Sequence, residues 1–195
     1  MQYDVLREIG NIGAGNATTA LSQMINTKID MKVPNVELLE FKNLPDIVGG
    51  AEKIVVGILF TLQGSIDGMM MFMMDKPASR HLVNQLLGDN LKSEADKFNE
   101  MELSALNEIG NIIAGAYLSS LSGLTNLVIT SSVPYMAIDM AGAILSVPAI
   151  EFSKIGDKAL LIETEFGDDL KAVNGYFILI PTLESYGAIL SSLGL

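Results

Sequence analysis

Two sets of polar residues in this sequence carry a spacing that could do chemistry. Asp4, Glu8 and Asn11 stand at i, i+4 and i+7, and Ser104, Glu108 and Asn111 repeat the arrangement 100 residues later. On a helix each set lines one face. An asparagine amide offers one acceptor and two donors, which suits it to holding a water molecule. Phosphoryl transfer asks a protein for positioning and charge stabilisation more than for covalent help. A side-chain amide that orients the attacking water is a known device there, as with the glutamine of the GTPases. The glutamate is then free to pair with a cation, which a partner protein would bring. On this reading each set completes a half-built active site on a partner. The simpler alternative is a solvated helix face. Against it, Arg7 faces Asn107, Asn16 faces Ala116 and Thr18-Thr19 faces Leu118-Ser119, while Glu and Asn persist. A solvated face has no need of a mid-helix asparagine, whose side chain competes for backbone hydrogen bonds.

Composition removes other chemistries. There is no cysteine, hence no disulfide, thiolate nucleophile or cysteine-based metal site. His81 is the single histidine, so no multi-histidine metal site can form, and its segment reads as an ordinary amphipathic helix with His81 on the surface. A net charge of −11, with 12 Lys and Arg among 195 residues, argues against a nucleic-acid surface. The chain is 49% hydrophobic with mean hydropathy +0.39, enough for a sizeable core. No apolar run reaches the ~18 residues of a membrane span. Asp4, Arg7 and Glu8 fall where a signal peptide would become apolar. A cytoplasmic protein without membrane insertion is the expectation. No metal ligands are expected. Glu165, Asp168 and Asp169 form an acidic cluster that reads as a solvated turn, since no glycine-punctuated calcium-loop spacing accompanies it.

The elements that position the two sets repeat as well. Glu8-Ile9-Gly10-Asn11-Ile12 with Ala14-Gly15 returns as Glu108-Ile109-Gly110-Asn111-Ile112 with Ala114-Gly115, and Val33-Pro34 returns as Val133-Pro134. In a second register, Gly68–Met71 and the run to Gly88 resemble Gly175–Ile178 and the run to Gly194. The chain reads as one domain, 1–195, made of two repeats, about 1–89 and 100–195, with a polar linker near 89–99. Apolar residues at helical spacing predict a helix over Asp4–Met24. Ile29, Met31 and Val33 alternate with charged residues and predict a strand, with Pro34 at a sheet edge or bulge. Ile54–Leu62 and Gly68–Met74 read as a hairpin, and Lys76–Leu87 as a helix capped by Gly88. The methionine run 69–74 reads as a buried strand rather than an adaptable binding surface. Asn99 and Glu102 open a second long helix, expected to end near Leu121 before Gly123. Strands are expected near Leu127–Val133, Ile144–Phe152, Ala159–Glu165 and Val173–Ile180, and a last helix near Leu183–Leu193. The predicted class is α+β: two helix–strand–hairpin–helix halves sharing one mainly antiparallel sheet, with the long helices packed on it. Helix-interior glycines carry further expectations. Gly15 and Gly115 are read as tight packing of helix on sheet. Gly10 and Gly110 serve either such packing or the close approach of another protein's backbone.

The pattern [Asp/Ser]-x3-Glu-x2-Asn-x22-Pro resembles the signature of the CheC/CheX/FliY phosphatase family, and it fits twice: Asp4, Glu8, Asn11, Pro34 and Ser104, Glu108, Asn111, Pro134. The likeness covers essentially the whole chain and is strongest to the two-site CheC branch. It implies dephosphorylation of CheY-P, the aspartyl-phosphate form of the chemotaxis response regulator. Glu8 and Glu108 would pair with the regulator's active-site lysine, and Asn11 and Asn111 would insert to orient the hydrolytic water. It implies no cofactor of the chain's own, Mg²⁺ being supplied by the bound regulator, and it implies a second partner, the receptor deamidase CheD. The same fold serves flagellar-switch proteins such as FliM without catalysis. A non-catalytic CheY-P-binding or switch module is therefore the alternative. An unrelated small-molecule hydrolase would instead require a deep pocket at Glu8 or Glu108.

Overall fold

A computed structural model describes residues 2–26, 28–88, 97–151, 158–167 and 172–194. Helix α1 (Gln2–Ile25) is followed by β1 (Asp30–Glu40), a 3-10 turn (Phe41–Asn43) and the short α2 (Leu44–Ile47). The hairpin β2 (Ile54–Gly64) and β3 (Gly68–Asp75) leads into α3 (Lys76–Leu87). The order then recurs: α4 (Glu100–Thr125), the broken strand β4 (Ile129–Ser131) and β5 (Tyr135–Met140), α5 (Ala141–Glu151), hairpin β6 (Lys158–Gly167) and β7 (Ala172–Pro181), and α6 (Leu183–Ser192). The mixed class with a shared antiparallel sheet is as predicted.

Local chemistry starts and stops these elements. Asn99 caps α4 in a full capping box, its side chain accepting from Glu102 N–H at 3.0 Å while Glu102 Oε2 accepts from Asn99 N–H at 2.8 Å. Asp75 Oδ1 caps α3 by accepting from Ala78 N–H, and Thr182 Oγ1 caps α6 by accepting from Ser185 N–H. Gly88, at φ +81°, closes α3 as expected. Helix α4 runs past Gly123 to Thr125, and Asn126 closes it in the left-handed region at φ 56°.

Among the described residues, seven strands form one sheet in the order β1-β6-β7-β3-β2-β4, with β5 also on β2. All pairings are antiparallel. The central pair is β3 with β7, Met71 opposite Ile178 and Phe72 opposite Phe177. The outer strands exchange: β1 pairs with the later hairpin through β6, and β4 and β5 pair with the earlier one through β2. Pro34 sits in edge strand β1 at a register shift between Lys32 and Asn35, and Pro134 falls in the gap between β4 and β5. A proline cannot donate to the ladder, so it interrupts pairing at both places.

Both faces of the sheet are covered. Met70, Phe72 and Met74 join Leu6, Ile9, Leu106 and Ile109 under the long helices. Met69, Met71 and Met73 pack on the opposite face with Leu44 of α2 and Ile144 and Leu145 of α5. A strand buried on both sides can be apolar throughout, and the methionine run is core.

Three expectations need correction. Ile144–Phe152 was expected as a strand, but its described part is helix α5. Ala141, Ile144, Leu145 and Pro148 are buried at helical period, against the far sheet face. The expected strand Leu127–Val133 is instead β4 and β5, broken around Pro134. His81 is half-buried rather than a surface residue, with Nε2 shielded and without a hydrogen-bond partner. Most of the expected linker, at 89–96, and Asp168 and Asp169 of the acidic turn lie outside the described residues.

Candidate functional site

The long helices owe their orientation to their apolar faces. Leu6, Ile9, Ala14 and Ala17 of α1 and Leu106, Ile109, Ile113 and Ala114 of α4 are buried on the sheet or between the helices. Burying these faces turns the opposite ones outward. Asp4, Glu8 and Asn11 are exposed on α1, and Ser104, Glu108 and Asn111 on α4. Each predicted set is thus assembled on one outward helix face. Pro34 and Pro134 are not part of it; they lie at the β1 bulge and the β4–β5 break.

Among the described residues, the side chains of Glu8, Asn11, Glu108 and Asn111 make no hydrogen bond or ion pair. Their carboxylate and amide groups face solvent and are available to another molecule. Asp4 differs: its carboxyl is held below the ordinary carboxylate range, first by hydrogen bonding to the chain's amino terminus. Neither the groove beside Tyr135, Asp139 and Ile144 nor the internal pocket beside Tyr117 and Phe177 is lined by the four residues. The sites are exposed ridges. A ridge cannot enclose a small substrate, but it can enter a cleft on another protein. Among the described residues, no three His, Cys, Asp or Glu side chains gather to hold a metal ion.

The glycines divide in a way the sequence did not reveal. A Cβ on Gly110 would stand 2.6 Å from Ile58 Cδ1, and one on Gly10 would stand 3.3 Å from Val33 Cγ1. Both glycines are buried and face the sheet, so they pack the helices inward and leave nothing for a partner to approach. Gly13 holds the Tyr117 ring, which would lie 2.5 Å from an added Cβ. Gly15 and Gly115, expected to be packed, are exposed, with nothing within 4 Å of an added Cβ. Each costs α1 or α4 ~1 kcal/mol relative to alanine.

The model of the CheC-like family matches residues 1–38 and 101–136, the segments that hold both Glu/Asn pairs. The chain is 37% identical over 197 residues to the CheY-P phosphatase CheC of Bacillus subtilis, covering 99% of this chain and 94% of that one. In structure it is similar to Thermotoga maritima FliY, with TM-score 0.77 and 23% identity, covering 98% of this chain and 95% of that one. It is also similar to the Borrelia burgdorferi chain in a CheX–CheY–BeF3–Mg²⁺ complex, with TM-score 0.50 and 18% identity, covering 86% of this chain and 95% of that one.

Proposed function

The chain belongs to the CheC-like family, and on that premise we propose that it is a phosphatase of phosphorylated CheY, working through two Glu/Asn sites. The observation that carries the assignment of residues is the pair of exposed, unengaged Glu/Asn sets, one in each segment matched by the family. A protein whose substrate is another folded protein needs such a ridge. In this reading the regulator contributes the aspartyl phosphate, its active-site lysine and a bound Mg²⁺, as the family resemblance implies. Glu8 or Glu108 draws the lysine ammonium and fixes the docked orientation. Asn11 or Asn111 then enters the regulator's cleft, where its amide holds a water in line with the phosphorus. The water oxygen attacks phosphorus as the bond to the aspartyl oxygen breaks. Inorganic phosphate leaves and the regulator regains its carboxylate. The gain comes from holding the water in a near-attack geometry, which avoids the entropy of recruiting it.

The same reading takes the chain as one domain of two repeats, supported by the recurring element order. Binding of CheD and a cytoplasmic location complete it, supported by the family resemblance.

The test is phosphate release from phosphorylated CheY, with the wild type and with Asn11→Ala/Asn111→Ala. The double variant is expected to lose about 100-fold or more of the acceleration, on the scale of other positioned donors. It should still bind phosphorylated CheY. If the wild type binds but releases no phosphate faster than CheY alone, the non-catalytic binding module replaces this reading.

A further inference from the structure

Gly15 and Gly115 do nothing for the fold that alanine would not do better. Neither has a positive φ, so no backbone conformation demands glycine there. Neither is pressed by a neighbour, unlike Gly10, Gly13 and Gly110. Two other helical glycines, Gly123 and Gly187, are also open, but the residues equivalent to them in the first half are Gln23 and Arg80. Gly15 and Gly115 alone carry the loss at equivalent places, four residues beyond Asn11 and Asn111. At 3.6 residues per turn, Gly15 falls between Glu8 and Asn11 around the helix, within an arc of about 60°. The same holds for Gly115 with Glu108 and Asn111.

We infer that Gly15 and Gly115 are the seats on which the phosphorylated regulator's own chain rests against bare helix backbone, and that this close approach sets how deeply the neighbouring asparagine enters. This rests on the proposed docking of the regulator at the Glu/Asn ridges. Glycine is the residue that lets a second backbone come into contact with a helix. A methyl group at either position would hold the regulator away by a fraction of its contact distance. Displacements near 1 Å cost up to about 100-fold in a reaction that depends on positioning.

The experiment uses the full chain with two double variants, Gly15→Ala/Gly115→Ala and Gly15→Met/Gly115→Met. Thermal unfolding, KM and kcat on phosphorylated CheY, and the Kd for CheY loaded with BeF3 and Mg²⁺ are measured for each. The alanine pair is expected to raise Tm by about 4 °C or more, since it removes two helix-interior glycines. KM and Kd should rise about tenfold with alanine and further with methionine, and kcat should fall as the asparagine is held back, against a Tm at or above that of the wild type. Wild-type KM and Kd in both variants overturn the inference, and so does a fall in Tm with alanine, which would show an internal role. If wild type binds the BeF3 form without hydrolysing CheY-P, and the glycine variants weaken that binding, the catalytic reading fails while the seats stand.

Discussion

At Glu8 and Glu108 the carboxylates are solvated and have no partner within the described chain, so docking supplies any ion pair they make. The attraction that draws such a pair together across an interface is screened by salt over a Debye length of about 8–10 Å. The expected outcome for Glu8→Gln/Glu108→Gln is a KM for CheY-P raised about tenfold at low salt. The wild type should lose affinity as salt rises, whereas the double variant should respond little. A KM with the same salt dependence in both proteins would remove the glutamates from docking. In the proposed mechanism the asparagines belong to a different step. A water-holding amide acts on the attacking nucleophile, so Asn11→Ala/Asn111→Ala should lower kcat with little change in Kd for the BeF3-loaded regulator. Each single variant should retain the activity of the intact site. The two residual rates then rank the sites, which differ at Asp4 against Ser104 and at Gly13 against Ile113.

Where α1 crosses α4, size is traded between equivalent positions. Gly13 makes room for the Tyr117 ring, and at the corresponding places Ile113 is large and Ala17 small, all buried. Tyr117 stacks on Phe177 with centroids 4.3 Å apart, and its hydroxyl is 3.3 Å from Thr164 Oγ1. Gly13→Ala should therefore cost about 1–3 kcal/mol despite alanine's better helix propensity, because the ring must move within a packed core. Chemical denaturation measures it, and a gain in stability would refute the packing account. Burial also pushes the Tyr117 hydroxyl up to about 12. Its folded value lies above the unfolded one, so its contribution is present below pH ~10 and disappears as pH climbs towards 12, by about 2–3 kcal/mol. Tyr117→Phe should be less stable near neutral pH by about 1 kcal/mol for the lost hydrogen bond, yet should fall less steeply between pH 10 and 12. Parallel curves would contradict the assignment. Such pairings also mark how far the sequence could be read. The long helices, both hairpins and both Glu/Asn faces followed from period and repetition. Helix α5 was taken for a strand because a short apolar run does not declare its period until one knows what covers it. Whether a glycine is packed or open depends on the sheet beneath it, which explains why Gly15, expected to be packed, is open, and why only the structure decides that Gly10 is packed.

The sheet binds the two halves more tightly than a linker could. Strand β1 lies on β6, over Asp30–Glu40 and Lys158–Gly167, while β5 lies on β2 and β3 on β7. An isolated first half would leave β1 without β6, its partner among the described residues, and expose the inner edge of β3, a long apolar strand with unpaired backbone groups. The long-range pairing must therefore form before either outer strand is stable, and chains that depend on such contacts fold slowly. The exchange also fixes α1 and α4 to one rigid surface, so the two ridges are held by a shared core rather than by separate domains. A protease site introduced within residues 89–96 and cut after folding tests this. The two fragments should remain together at micromolar concentration and keep the phosphatase activity, because β1–β6 and β2–β5 pairing survives the cut. Unfolding of the cut protein should become concentration-dependent, with Tm falling on dilution, because the halves are now separate molecules held by mass action. Fragment 1–96 expressed alone should show neither a cooperative transition nor activity. A cooperative transition in that fragment, or a Tm of the cut protein that ignores dilution, would mean that each half closes its own sheet and that the exchange of strands is not what holds the molecule together.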